Sequence, residues 1–332
     1  MPEDSKSGST RFLLGVDGGG SKTQAVIAKL ETEPHEQLQI SDFMELARVS
    51  AGPGNLITAP EAKANVNTAV ATALHAAREK IDRKFQLDAA CLSLAGTGRE
   101  SILKQWQAWT EENSFASKIR ITDDVEPILR HCSRDGLAIA VISGTGSIVV
   151  ARAADGTRIR CGGWGPLFSD EGSGYKIAMQ ALRYASLHAD QRTSHPKLHA
   201  IALRYFGVTE FSEIIPKLQG LSRRELADYA KVVIEHNLQC NDETYEVLHA
   251  AAWQLASMIK DAASRLNIGQ DPFPLAMAGG ILGHSETMRY RLEYEVRRKN
   301  KFQQLQPTMQ LVDDPVSGAV LLAADSLSSR EN

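Results

Sequence analysis

The chain is predicted to be an α/β protein made of two related domains in tandem. Strand-like and helix-like segments alternate along most of its 332 residues, which is the pattern of an α/β architecture. An apolar strand, a glycine-rich turn and a second apolar strand occur near the N-terminus and again after most of a domain's length. A chain of this length is long enough for two domains.

Hydrophobic spacing and turn residues place the secondary structure. Alternating or continuous apolar runs predict strands, and apolar residues at helical spacing predict helices. Strands are expected at residues 11–16, 25–28, 88–94, 119–122, 137–142, 148–151, 274–278 and 310–312. Helices are expected at residues 61–84, 101–112, 127–132, 174–187, 196–206, 222–237, 242–266 and 316–327.

Composition and charge favour a soluble protein of the cytoplasm. The residues are 43% apolar and 23% charged, and the formal net charge of −3 favours neither nucleic acid nor an anionic membrane as partner. The polar residues 1–10 are expected to be a disordered tail without the apolar core of a signal peptide, and no stretch approaches the ~18 apolar residues of a membrane span. The four cysteines lie far apart, as expected of reduced thiols rather than of a metal site.

The first glycine-rich turn is a candidate phosphate-binding loop. Residues 17–23 read Asp-Gly-Gly-Gly-Ser-Lys-Thr, and consecutive glycines let backbone N–H groups approach phosphate oxygens. Ser21, Lys22 and Thr23 add side-chain donors, and Asp17 could hold a hydrated Mg²⁺. Walker and dinucleotide motifs both fail, because a serine precedes the lysine, a threonine occupies a glycine position, and a strand follows. A plain hairpin turn is the alternative interpretation.

The second glycine-rich turn has the same character. Residues 143–147 read Ser-Gly-Thr-Gly-Ser between two apolar runs. One such turn is weak support for phosphate binding. Two turns at corresponding places in tandem domains could hold one nucleoside triphosphate from both sides.

Asp123 and Asp124 follow a predicted strand and precede a predicted helix. A carboxylate there could accept the proton of an attacking hydroxyl group, as an aspartate does in phosphoryl transfer. Aspartate is also a favoured helix N-cap. The residues alone leave the two roles open.

Residues 161–174 are the most unusual segment of the chain. They are rich in glycine and include Trp164, Phe168, Asp170 and Glu171. Glycines give backbone donors close access to a ligand, carboxylates accept sugar hydroxyls, and a tryptophan offers an apolar face. The segment therefore predicts a sugar pocket, with a structurally demanding buried loop as the alternative.

In their order, these motifs resemble the N-acetylglucosamine kinases of the BadF/BadG-type branch of the actin, chaperone and sugar-kinase superfamily. The resemblance runs from about residue 14 to residue 324, and its Gly-Gly-Trp-Gly segment is far more specific than the glycine turns. The motifs that carry it are residues 15–23, 143–147, 162–165, 170–173, 278–281 and 315–319.

The resemblance implies two tandem ribonuclease-H-like (actin-like ATPase) domains with an ATP and sugar cleft between them. The N-terminal domain is expected at residues 11–128, with the helix at 316–330 packing back on it. The C-terminal domain is expected at residues 129–315, with helical insertions.

The resemblance also implies ATP-dependent phosphorylation of the 6-hydroxyl of N-acetylglucosamine, with ATP and Mg²⁺ as cofactors. A small amino sugar is the expected partner, and a homodimer is compatible with the family. Asp124 matches the catalytic base and Asp17 the metal site. The matching nucleotide-binding residues are Asp17, Gly18, Gly19, Gly20, Ser21, Lys22, Thr23, Gly144, Thr145, Gly146, Gly279 and Gly280. The matching sugar-binding residues are Asn55, Thr145, Gly163, Trp164 and Asp170.

Three other functions are considered. Ser169 and Ala95 depart from many members at the sugar pocket, so glucosamine or N-acetylmuramic acid is an alternative substrate. An ATPase that activates a radical dehydratase is an alternative of another class, and its iron–sulfur cluster would have to use Cys132 or Cys161. A non-catalytic sugar sensor would lack the base, whereas Asp124 is present.

Overall fold

The computed structural model describes residues 10–32, 38–82, 84–237, 242–269, 271–298 and 305–328. These residues group into two compact units: the N-terminal unit runs to Arg134 and resumes at Asp314, and the inner unit is Asp135–Asp313. The domain boundaries predicted from the sequence, after residues 128 and 315, lie close to these positions. Apart from Thr10, the predicted tail lies outside the described residues.

The N-terminal unit contains a mixed five-stranded sheet. Its order is β3-β2-β1-β4-β5, in which β1–β2 and β2–β3 are antiparallel and β1–β4 and β4–β5 are parallel. The strands are β1 Arg11–Gly18, β2 Thr23–Leu30, β3 Phe43–Ala51, β4 Leu87–Leu94 and β5 Ala116–Thr122. The helices up to the end of this segment are α1 Ala62–Lys80, α2 Glu100–Glu112 and α3 Glu126–Cys132.

The inner unit contains a second mixed five-stranded sheet and a set of helices inserted between its third and fourth strands. The strands are β6 Ala138–Ser143, β7 Ser147–Arg152, β8 Arg158–Gly162, β9 Phe273–Ala278 and β10 Pro307–Leu311. The helices are α4 Gly174–Ala189, α5 Pro196–Phe206, α6 Ile214–Gln219, α7 Arg223–Asn237, α8 Asp242–Arg265, α9 Gly280–His284 and α10 Glu286–Arg297.

The two sheets have the same topology. The inner sheet runs β8-β7-β6-β9-β10, with β6–β7 and β7–β8 antiparallel and β6–β9 and β9–β10 parallel. In each unit the first strand is central, a hairpin leads to one side, and helical crossovers lead to parallel strands on the other. This is the ribonuclease-H-like topology, present twice.

The last helix, α11 Pro315–Ser328, belongs to the N-terminal unit and packs on β1, β4 and α3. It is apolar nearly all round, as expected of a helix buried on every side. Its one buried carboxylate, Asp325, pairs with Arg130 at 2.7 Å and with Arg134 at 3.3 Å. This pairing compensates a charge that would otherwise be costly to bury.

Two strands, β3 and β8, were not predicted from the sequence. Both lie at a sheet edge, and both carry charged, exposed positions such as Glu45 and Arg158. Edge strands commonly carry such residues, which blur the apolar alternation. The predicted helix at 61–84 ends earlier, at Lys80, and the predicted strand at 310–312 lies instead at Pro307–Leu311.

Among the described residues, no helix is both long enough and apolar enough to cross a membrane.

Candidate functional site

The first glycine turn, residues 19–22, joins β1 to β2. The Gly19 N–H donates to the Lys22 carbonyl oxygen at 2.9 Å and closes the turn. Gly20, Ser21 and Lys22 are exposed. The turn therefore offers exposed glycine backbone, a hydroxyl and an ammonium group at one place, which suits a phosphate group.

Glycine is required beside this turn for close packing. Gly18 lies against the side chain of Leu94, and a Cβ there would overlap it. The Gly54 N–H donates to the Gly19 carbonyl oxygen at 3.0 Å, and a Cβ on Gly54 would lie 2.7 Å from Thr23 Oγ1. The chain around residue 54 is thereby held against the turn.

Asn55 is brought to the first turn by this contact. Its Oδ1 accepts a hydrogen bond from the Ile57 N–H at 2.9 Å. Because a carboxamide also carries two N–H donors, the side chain can still donate to a sugar oxygen.

Thr23 contributes a buried hydroxyl at the start of β2. The residue is fully buried, and its Oγ1 has no hydrogen-bond partner among the described residues. An unsatisfied buried polar group costs about 1–3 kcal/mol. The hydroxyl is therefore suited to bonding an anionic ligand at the turn.

Asp17, the residue before the last of β1, lies in a negatively charged environment. Burial, helped by the negative charges of Asp124 and Asp314, raises the pKa of Asp17 from 3.8 to about 7, against the opposing effect of Lys22. The register pairs Asp17 with Ser93 on β4, and Ser93 with Thr122 on β5. Asp124 lies two residues beyond Thr122. It is therefore at the same end of these parallel strands as Asp17.

Asp123 and Asp124 have different surroundings. Asp123 Oδ1 accepts from the Val125 and Glu126 N–H groups, both at 3.1 Å, and so satisfies the start of α3. The carboxylate of Asp124 instead interacts with that of Asp17. Asp123 is therefore engaged by the N–H groups at the start of α3, and Asp124 stays the predicted base.

Asp314 was not singled out in the sequence. Its carboxylate forms a two-pronged pair with the Arg48 guanidinium, at 2.7 and 2.9 Å, across 266 residues of chain. Its only sequence signal is the acidic pair 313–314 before the last predicted helix. This long-range pair places a third carboxylate near Asp17.

The carboxylates near the turn do not form a closed metal cage. No group of three or more His, Cys, Asp or Glu side chains in the described ranges is arranged to hold a metal ion. Mg²⁺ commonly takes one or two carboxylates and keeps several waters beside substrate phosphates. Asp17 next to the glycine turn fits that mode of binding.

The second glycine turn, residues 143–147, is bonded to the glycine-rich segment that was predicted to bind sugar. The two stretches are far apart in sequence, yet two serine hydroxyls and two backbone N–H groups join them. The bonds run from Ser143 Oγ to Gly172 O (2.8 Å), Ser147 Oγ to Glu171 O (2.6 Å), Ser147 N to Asp170 Oδ1 (3.4 Å) and Gly174 N to Gly144 O (2.8 Å).

The Gly279-Gly280 turn lies against the same place. Gly279 has φ of +89°, and a Cβ on it would lie 2.6 Å from the carbonyl carbon of Ser143. A Cβ on Gly144 would lie 3.5 Å from the Gly280 nitrogen. Three predicted nucleotide residues, Gly144, Gly279 and Gly280, are thus neighbours, and Thr145 is half-buried at the tip of the second turn.

Trp164 is exposed rather than enclosed within the inner unit. Its exposed fraction is 65%, and the guanidinium of Arg160 lies over its ring at 4.4 Å. The preceding residue, Gly163, has φ of +72°, a conformation that favours glycine. One face of the indole is partly covered by Arg160, and sugar binding by Gly163 and Trp164 stays a prediction.

Asp170 is not an open acceptor. Its exposed fraction is 3%, its φ is +65°, and its Oδ2 accepts a hydrogen bond from Arg223, the first residue of α7. Arg223 was missed because nothing in a helix-starting Arg-Arg pair distinguishes it from a solvated charge. It is revealed by its hydrogen bond to Asp170, which lies 53 residues away in the sequence.

Two ribonuclease-H-like units, each with a glycine turn at its central hairpin, define a protein of the actin-like ATPase class. The chain belongs to the BadF/BadG/BcrA/BcrD ATPase family, whose profile matches residues 14–323. The predicted resemblance and fold class are confirmed.

Similar proteins include two curated kinases. The chain is 26% identical to the N-acetylmuramic acid/N-acetylglucosamine kinase of Clostridium acetobutylicum, with 94% of this chain and 98% of the relative covered. It is 28% identical to the N-acetyl-D-glucosamine kinase of Dictyostelium discoideum, with 96% and 99% covered. A solved structure from Chromobacterium violaceum, provisionally named an N-acetylglucosamine kinase, superposes with a TM-score of 0.70 at 23% identity, with 95% of this chain and 99% of that chain covered.

Proposed function

We propose that the protein is an ATP-dependent amino-sugar kinase that transfers the γ-phosphoryl group of ATP to the 6-hydroxyl of N-acetylglucosamine. Membership of an ATPase family supports the use of ATP. Both curated relatives carry N-acetylglucosamine in their names and match nearly the whole chain. The observation that carries the proposal is that Asp124 is close enough to Asp17 to raise its pKa, while Asp123 bonds the N–H groups at the start of α3.

In this proposal Asp124 acts as the general base. Its carboxylate accepts the proton of the sugar 6-hydroxyl as the oxygen attacks the γ-phosphorus in line. The bond between that phosphorus and the β,γ-bridging oxygen breaks, and ADP leaves. The products are the sugar 6-phosphate and ADP, and the proton rests on Asp124.

The glycine turns provide the phosphate-binding groups. Exposed backbone of residues 19–22, together with Lys22 and the buried Thr23 hydroxyl, would neutralise charge on the phosphates. Residues 144–146 would do the same from the inner unit. Mg²⁺ near Asp17 would supply further charge neutralisation of the phosphates.

The sugar side rests on the predicted residues Asn55, Thr145, Gly163, Trp164 and Asp170. N-acetylmuramic acid is a second candidate substrate, favoured by the name of the Clostridium relative. Glucosamine remains an alternative without a comparable observation.

The proposed function is tested by ADP release from ATP in the presence of N-acetylglucosamine, N-acetylmuramic acid, glucosamine, glucose or no sugar. We expect release to require N-acetylglucosamine and the product to carry phosphate on oxygen 6, as read by phosphorus–proton coupling in NMR. If only another of these sugars supports turnover, that sugar is the substrate in place of N-acetylglucosamine. Release that no sugar changes would contradict the kinase and favour the ATPase activator.

The activator alternative has its own measurement, the iron content of protein purified without oxygen. Burial raises the pKa of the Cys132 thiol to about 11 and also raises that of Cys161, so neither thiol is ionised at neutral pH before a metal binds. Stoichiometric iron and sulfide would support the activator.

A further inference from the structure

The Arg223 guanidinium lies directly beside the second glycine turn. A Cβ on Gly146 would be 2.7 Å from Arg223 Nη2 and 3.2 Å from Asp170 Oδ2. Any side chain at 146 would therefore displace the guanidinium. The absence of a side chain there keeps Arg223 in contact with the turn itself.

The carboxylate of Asp170 holds the guanidinium in this place. Asp170 is buried, and its other oxygen accepts from the Ser147 N–H at 3.4 Å. Because Ser147 is the last residue of the turn, the carboxylate joins the turn to the guanidinium. A charge-assisted bond to a buried carboxylate restricts the flexible arginine side chain to few orientations.

The guanidinium still has unused donors. In the described part of the chain, Asp170 is its one hydrogen-bond partner, and Tyr175 lies 5.9 Å away with its ring facing it. Arginine has five N–H donors, and the side chain is 39% exposed. The remaining N–H groups can bond an oxyanion at residues 144–146 without breaking the pair with Asp170.

We propose that Arg223 binds a phosphate group of the nucleotide at the second glycine turn and that Asp170 aims it there. This inference rests on the proposed use of ATP. It gives Asp170, predicted to bind sugar, a second role on the nucleotide side. A planar guanidinium between a carboxylate and a phosphate makes charge-assisted bonds with both.

The competing interpretation is a purely structural ion pair. Such a pair would stabilise the inner unit and, when broken, would weaken every ligand of that unit alike. A phosphate-binding arginine would distinguish nucleotides with phosphate from the same nucleoside without it.

The test compares binding of ATP and of adenosine to Arg223→Gln by isothermal titration calorimetry with the full chain. Loss of a charge-assisted bond to phosphate is expected to weaken ATP binding roughly tenfold to a hundredfold. Adenosine binding should change by less than about twofold, because adenosine has no phosphate. Arg223→Lys keeps the positive charge but not the forked guanidinium, and it should lose less ATP affinity than Arg223→Gln. Arg224→Gln removes the same charge one residue further on, where the side chain is exposed, and should bind ATP as the wild type does.

Asp170→Asn is a second test that separates a phosphate-binding arginine from a purely structural ion pair. We expect it to weaken ATP more than adenosine, although Arg223 is intact. ATP affinity of Arg223→Gln within twofold of the wild type would overturn the proposal, and so would equal losses for ATP and adenosine. Sugar-dependent ADP release by the wild type is measured separately, so failure of the kinase function is distinguished from failure of this inference.

Discussion

The two glycine turns occupy the same place in the same topology but differ in their chemistry. In each unit the turn follows the central strand and leads into an antiparallel partner. The first turn lies beside Asp17, Asp124 and Asp314. The second lies beside serine hydroxyls and the Arg223–Asp170 pair.

The two copies of one topology therefore differ in the groups that surround their turns. Carboxylates suit proton transfer and cation binding, whereas hydroxyls, backbone amides and a guanidinium suit anion binding. The shared fold supplies the position of each turn, and the residues around it supply the function.

The largest expected effect concerns the base beside the first turn. Asp124→Asn should lower kcat by about 10²–10⁴-fold, because general-base catalysis contributes that much. Nucleotide affinity should change little. Sugar-dependent ADP release measures it. Asp123→Asn is the control: its amide oxygen can still accept from the N–H groups at the start of α3, so turnover should be kept.

If Asp124→Asn retains near-normal turnover while Asp123→Asn loses it, the two roles are reversed. If both variants retain near-normal turnover, neither Asp123 nor Asp124 is the general base.

The second prediction concerns the packing behind the first turn. Gly15 on β1 touches α11 so closely that a Cβ would lie 2.7 Å from the Val316 carbonyl oxygen and from the Val320 nitrogen. Since both are backbone atoms of a buried helix, Gly15→Ala should lower the free energy of unfolding by about 1–3 kcal/mol. Urea unfolding measures it. Gly20→Ala is the control because nothing lies within 4 Å of its Cβ position, and an equal loss there would contradict the packing argument.

The third prediction is a pH dependence confined to the first turn. The pKa of Asp17 is raised from 3.8 to about 7 in the folded state. Between those values the folded protein binds more protons than the unfolded chain, so the contribution of Asp17 to stability falls as pH rises from about 4 to about 7. One group can contribute a slope of at most about 1.4 kcal/mol per pH unit.

Asp17→Asn should flatten this part of the stability profile, measured by urea unfolding between pH 4 and pH 8 without divalent cations. Below pH 4 the variant and the wild type should differ little. A variant whose profile keeps the wild-type slope would assign that slope to other groups.

The smallest expected effect compares two hydroxyls at the starts of β2 and β7. Ser147 Oγ donates to the Glu171 carbonyl oxygen at 2.6 Å, whereas Thr23 Oγ1 has no partner among the described residues. Ser147→Ala should therefore cost about 1 kcal/mol, and Thr23→Val should be neutral or stabilising. Urea unfolding decides it, and a larger loss for Thr23→Val would show that the Thr23 hydroxyl is satisfied in the folded protein.

Much of the fold could be predicted from local patterns. Both central hairpins, the buried strand β4 and the apolar helix α11 have strong signals, since they are buried and their residues alternate or repeat accordingly. Strands β3 and β8 could not be predicted because solvent and charge interrupt the pattern at sheet edges.

The candidate site divides in the same way. Glycine turns and the Gly-Gly-Trp-Gly segment can be recognised because their function requires particular residues next to one another. The roles of Asp314 and Arg223 could not be, since their partners Arg48 and Asp170 lie 266 and 53 residues away.

The sequence by itself determined the α/β class, the tandem repeat and the two glycine turns, because each depends on residues that are neighbours in the chain. Only the tertiary structure decided that the second turn is bonded to residues 170–174 and that Asp170 holds Arg223. These depend on which side chains folding brings within hydrogen-bond distance, and short-range forces between distant residues leave no pattern along a single chain.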